Sequence, residues 1–173
     1  TGSSHLASLK LVVTGGGPYD VKGTMDGLLD LVRDQIPVVA SLLDPGVLRF
    51  LGSSVRRQLR DALLRQLLPG DADVVFDVRF IDHYLADDWF RLAVDSDVHE
   101  WLPALPVRLF HGREDRTVPY ASSENTLKAM QDRGAGGRVT LTDCTASPSS
   151  HLGCVPGYLN FLMSEVGRVV TDL

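Results

Sequence analysis

The chain has 173 residues, 44% of them hydrophobic and 23% charged, which is ordinary globular composition and enough for one core of normal size. A formal charge of -5 with no clustered Lys/Arg run argues against a nucleic-acid surface or an anionic-membrane patch. No segment approaches the roughly 20 unbroken apolar residues of a membrane span, and "TGSSHLASLK" has neither the basic region nor the apolar stretch of a signal peptide, so a soluble, single-domain chain is expected.

In chain order, "LKLVV" at 9–13 is an apolar, partly β-branched run that stops at Gly15-Gly16-Gly17-Pro18, the pattern of a buried strand meeting a sharp turn. The glycines lack both the G-x-G-x-x-G order and the Lys-Ser/Thr of a phosphate loop, so no nucleotide cofactor is expected. From about 20 to 100 the pattern is helical with breaks at Pro37, Pro45-Gly46 and Pro69-Gly70. Thr24 is read as the cap of a helix carrying Met25, Leu28, Leu29 and Val32 on one face. Val55, Leu59, Ala62, Leu63 and Leu67 predict a second helix, and "IDHYLADDWFRLAV" a third. After Trp101 the grammar alternates: "VRLF" a strand, "ASSENTLKAMQDRG" a helix stopped by Gly134, "RVTLTD" a strand with Val139 and Leu141 on one face, and "VPGYLNFLMSEVGRVV" a closing helix. This order implies a parallel α/β sheet interrupted by a helical insertion. The expected divisions are 1–20 for the first core strand and turn, 21–100 for a helical cap, and 101–173 for the C-terminal α/β core.

Parallel sheets gather ligands and catalytic groups at the carboxyl ends of their strands. Here those ends are Gly15 to Asp20, His111 to Pro119, and Asp143 to Pro156, the last containing His151. Asp115 and His151, on adjacent strand ends, are the pair with chemistry to offer: a carboxylate that fixes an imidazole's tautomer and stabilises its cation makes that imidazole a general base. The plainer reading of the same residues pairs Asp115 with Arg113 or Arg116 and leaves His151 an ordinary loop histidine. Cys144 and Cys154, with nine residues between them, are too few for a structural zinc site even with His151. They are read as a local disulfide stapling a Pro/Ser-rich loop, with two reduced thiols as the alternative. The Asp71/Asp73 and Asp87/Asp88 pairs lack EF-hand spacing and are read as surface or helix-end charges, and no metal is expected. Trp89, Phe90 and Trp101 are read as packing residues.

"PVRLFHGREDRTVPYASSENTLKAM" resembles the late segment of α/β-hydrolases, in which a strand ends in His-Gly-x-x-Asp-x-x-Val-Pro. "SSHLGCVPGYLNFL" resembles the loop that supplies the triad histidine, followed by the last helix. "DSDVHEWLPALPV" and "LKLVVTGGGPYD" are similar to matching segments of secreted microbial esterases and lipases of that fold, and the likeness weakens over 22–95. The resemblance implies that Asp115 is the triad acid and His151 the triad base. Under it, His111 and Gly112 match the strand-end turn rather than the chemistry, and Glu114 is an alternative acid one position off the pattern.

The nucleophile elbow, G-x-S-x-G on a strand-turn-helix, is absent from this sequence, and with it the oxyanion hole. Ser3 and Ser4 have no preceding strand, and Ser147, Ser149 and Ser150 lie on no strand-to-helix turn. The resemblance therefore implies the C-terminal half of an α/β-hydrolase, about three parallel strands with flanking helices and a cap. It would act on an ester or other acyl substrate of apolar character, with its nucleophile on a missing segment or partner chain and with no cofactor. A non-catalytic binding or assembly module, and a peptidase or acyltransferase on the same scaffold, are the alternatives. A secreted or periplasmic location is the expectation from the resemblance together with the Cys144–Cys154 pairing.

Overall fold

The computed structural model of the chain describes residues 9–35, 50–55, 57–58 and 78–170. The chain divides into two compact units, Thr1–Asp20 with Val98–Leu173, and Val21–Asp97. Among the described residues the first unit is an α/β layer structure built on three strands, β1 (Val12–Thr14), β2 (Val107–His111) and β3 (Val139–Asp143), in the spatial order β1-β2-β3. All pairings are parallel: Val12 to Thr14 lie opposite Val107 to Leu109, and Val107 to His111 lie opposite Val139 to Asp143. The first strand is shorter than the "LKLVV" run, beginning at Val12, whose N–H donates to Pro106 O at 3.0 Å.

β2 is the middle strand and is buried on both faces, as a near-continuous apolar run in a parallel sheet should be. Its alternation separates two cores. Val107 and Leu109 pack with Met130, Ala135 and Val139 on one side, and Phe110 packs with Cys144, Cys154, Tyr158 and Phe161 on the other. The first core is closed by α4 (Ala121–Asp132) and the second by α5 (Val155–Gly167), the closing helix expected over "VPGYLNFLMSEVGRVV", with Pro156 in its first turn. α4 ends two residues before Gly134, where Gly134 N–H donates to Gln131 O and Ala135 N–H to Met130 O, the pairing of a Schellman cap. Buried Glu165 of α5 pairs with Arg108 of β2 at 3.4 Å and with Arg168, so the charge brought onto that sheet face has partners. One face of α5 stays open: Val155, Leu159 and Met163 repeat every fourth residue and are exposed.

In the second unit the described residues form α1 (Val21–Gln35), α2 (Val78–Leu85) and α3 (Trp89–Ser96). α1 starts at Val21, so Thr24 lies in its first turn, buried, and is not the cap. The helix expected over "IDHYLADDWFRLAV" is two helices. Asp87 adopts φ +58 and breaks the run, after which the Asp88 carboxylate accepts Arg91 N–H at 3.3 Å and starts α3. Trp89 packs edge-on against Tyr84 at 5.5 Å, whereas Phe90, expected to pack, is 79% exposed. Most of the helix expected over Val55 to Leu67, the turns at Pro37, Pro45-Gly46 and Pro69-Gly70, Asp71/Asp73, and Ser3 and Ser4 lie outside the described residues.

Candidate functional site

β2 and β3 run parallel and in register, so the loops that follow them leave the same sheet edge side by side. The acid loop follows β2. Asp115 N–H donates to Gly112 O at 3.3 Å, and the Asp115 side chain then turns inward to accept from the backbone ahead of it. Its Oδ1 receives the Thr117 and Val118 N–H groups, each at 2.9 Å, an Asx-type turn that satisfies two donors with one oxygen. Its Oδ2 receives Nδ1 of His151 at 2.7 Å and lies 3.1 Å from Nε2 of His111. Burial alone would raise the Asp115 pKa, but the hydrogen bonds from His111, the Val118 amide and His151 outweigh it, and the carboxyl is held below its ordinary value.

The histidine loop follows β3 and is anchored at both ends and in the middle. Cys144 N–H donates to His111 O at 2.8 Å, which ties the start of the loop to the end of β2. A disulfide joins Cys144 to Cys154 at the threshold of α5, so the eleven-residue segment bearing His151 is a closed ring. Inside the ring Ser149 is clasped by Glu114: Ser149 N–H donates to Glu114 Oε2 at 2.7 Å, and Glu114 N–H donates to Ser149 Oγ at 3.1 Å. Glu114 therefore joins the two loops and makes no hydrogen bond to His151. Gly112 is required at this junction, because a Cβ there would stand 2.0 Å from Ser149 O.

His151 donates through Nδ1 to a carboxylate, which fixes the proton there and leaves Nε2 as the free lone pair. Among the described residues nothing hydrogen-bonds that nitrogen, and the side chain is a quarter exposed. This arrangement can take a proton from an incoming hydroxyl and return it to a leaving group, with Asp115 stabilising the imidazolium between. The serines nearby are otherwise engaged. Ser149 is in the Glu114 clasp, Ser150 Oγ accepts Gly153 N–H at 3.2 Å, and Ser123 is fully buried against His111. Arg113, a rival partner for Asp115 on spacing, instead donates to Asp143 Oδ2 at 2.7 Å and lies over the Tyr120 ring at 4.5 Å. The two contacts on Asp115 and Glu114 that strand spacing alone did not identify are those of His111 and Ser149. For His111 a signal existed, since alternation along β2 puts it on the same buried face as Val107 and Leu109.

No family model matches the chain, and no curated protein matches it. Solved structures do. A candidate hydrolase of Legionella pneumophila matches with a TM-score of 0.54 and 15% identity, over 95% of this chain and 50% of that one. A single-residue mutant of the rice cell wall degrading esterase LipA from Xanthomonas oryzae matches with a TM-score of 0.50 and 20% identity, over 97% of this chain and 52% of that one. The chain thus spans about half the length of the structures it resembles. Three parallel strands in one sheet, flanking helices and these neighbours make its fold that of a C-terminal part of an α/β-hydrolase.

Proposed function

We propose that this chain supplies the acid and the base of a serine carboxylic ester hydrolase, with Asp115 and His151 in those roles and the nucleophile on another segment or chain. The observation that carries this reading is the 2.7 Å bond from His151 Nδ1 to a buried carboxylate, with Nε2 left open. In the reaction, a serine Oγ attacks the ester carbonyl while His151 Nε2 accepts its proton. The same imidazolium protonates the departing alcohol; water, deprotonated by His151, then attacks the acyl-serine, and His151 returns that proton to the serine Oγ as the acid leaves. Asp115 orients the ring throughout and remains ionised. Fold likeness at 15–20% identity does not choose a substrate, so an apolar acyl ester is part of the proposal.

The test is kinetic. In the complete assembly, Asp115→Asn and His151→Ala should each lower kcat on a p-nitrophenyl ester by about ten-thousandfold, the scale of losing a triad member. Near-normal rates in either would overturn the assignment. Native mass spectrometry of protein from its source tests where the nucleophile lies: a second polypeptide, or a longer single chain, carrying G-x-S-x-G is expected. The disulfide supports an exported location, since such bonds persist in oxidising compartments; two free thiols in denatured, unreduced protein would end that part of the proposal.

A second reading, a non-catalytic binding or assembly module, draws on a different observation. Among the described residues the outer edge of β1 has no strand partner, and Val155, Leu159 and Met163 of α5 are exposed. Such surfaces suit association with another polypeptide. A lone 18.9 kDa species with no esterase activity would favour it.

A further inference from the structure

A second histidine touches the same carboxylate. His111, the last residue of β2, is 1% exposed and sits where a polar ring must be fully partnered or be costly. Its Nε2 faces two acceptors, Asp115 Oδ2 at 3.1 Å and Val118 O at 3.0 Å, so Nε2 carries a proton. Its Nδ1 lies 2.7 Å from Ser123 Oγ at the start of α4. A neutral ring protonated on Nε2, with the Ser123 hydroxyl donating to Nδ1, satisfies all three contacts.

Ser123, His111 and Asp115 therefore stand in the order of a hydrolytic triad, yet both the serine and the imidazole are sealed. The turn after β1 covers the imidazole and the carboxylate: a Cβ on Gly16 would lie 2.8 Å from the His111 ring and 3.1 Å from Asp115 Oδ2, so only glycine lets that backbone approach the two so closely. No substrate reaches this serine. What the buried chain of contacts can do is hold a carboxylate. Of the two histidines on Oδ2, His151 comes from the half-exposed loop and His111 from the rigid middle strand.

The geometry points to His111 as the positioning residue of the acid: by donating to Asp115 Oδ2 and to Val118 O it fixes the carboxylate and the turn that carries it, and keeps Asp115 ionised as the acceptor for His151. This rests on the acid role proposed above for Asp115, but its test needs no catalysis. Among the described residues the titratable groups facing Asp115 are His111 from β2 and His151 from the histidine loop; Tyr120 lies beyond the His111 ring at 5.5 Å. The Thr117 and Val118 amides supply the remaining donors.

The experiment follows the Asp115 carboxyl carbon by NMR against pH in the complete assembly, with this chain labelled with 13C-aspartate. Four proteins are compared: wild type, His111→Phe, His111→Asn and His111→Gln. Phe fills the space without a donor, Asn is too short to bring an amide to the Nε2 position, and Gln brings one there. The Asp115 midpoint is expected to rise by about one pH unit in His111→Phe and His111→Asn, a tenfold loss of preference for the ionised form, and to stay within about 0.3 of wild type in His111→Gln. If Phe does not fold, Asn against Gln carries the same comparison. Equal midpoints in Asn, Gln and wild type, or equal rises in Asn and Gln, would overturn the proposal. An inactive assembly with the expected midpoints would instead count against the ester-hydrolase reading alone.

Discussion

The acid loop and the histidine loop leave neighbouring strand ends and meet at one oxygen, but they are held by different physics. The acid loop is held from within by hydrogen bonds: two amides on Oδ1, and His111 beneath Oδ2. The histidine loop is held from its ends by a covalent bond and in its middle by contacts that belong to the acid loop, Glu114 and Gly112. The dependence is therefore unequal. The acid keeps most of its partners if the histidine loop moves, whereas His151 relies for its place on residues 112 and 114.

Adding one methyl group at the junction should expose this asymmetry most strongly. Gly112→Ala puts a Cβ into the Ser149 carbonyl, and we expect a loss of about 3 kcal/mol by urea unfolding, with the His151 ring resonances displaced more than those of Asp115. Next, reducing the disulfide, or replacing both Cys144 and Cys154 with Ser, should cost about 2–3 kcal/mol from loop closure and broaden His151 while leaving the Thr117 and Val118 amides protected from exchange. Loss of protection in both loops would mean that they fall together.

Acid should act on the other loop. The folded Asp115 pKa lies below its ordinary value of 3.8, so the stability it contributes is complete above that value and is lost as pH falls through the folded one. Wild type should lose more stability than Asp115→Asn between pH 5 and pH 3, read from urea midpoints. Parallel acid limbs would refute this. Asp143 is also depressed, by hydrogen bonds from Tyr120 and then Arg113, but it is exposed and its share should be small. The smallest effect is expected from Glu114→Ala. It frees the Ser149 N–H and should cost about 1 kcal/mol, with Glu114→Gln recovering part of it because the amide oxygen still accepts.

Much of this could be read before any coordinates because the relevant signals are local. β-branched runs, a glycine beyond a helix and alternation along "RVTLTD" each specify one element, and strand order brings Asp115 and His151 to one edge. What escaped depends on geometry that spacing does not carry. The break between α2 and α3 needs a positive φ at Asp87, a conformation that a non-glycine residue seldom takes. The Glu114 clasp needs two loops to be folded before its donors exist. His111 is the intermediate case. Its place on a buried face requires a partner, but the partner's identity depends on how the loop after it curls back.

The ring closed by Cys144 and Cys154 also changes what a protease can accomplish there. A cut at any peptide bond between those cysteines would leave both new ends tied to the body of the protein, with His151 on one of them. Such a nicked molecule would be heavier by one water and run as a single species until reduced, when it would fall into two pieces. For a loop with exposed residues on either side of its histidine, the bond thus serves as insurance against scission as well as a restraint on motion.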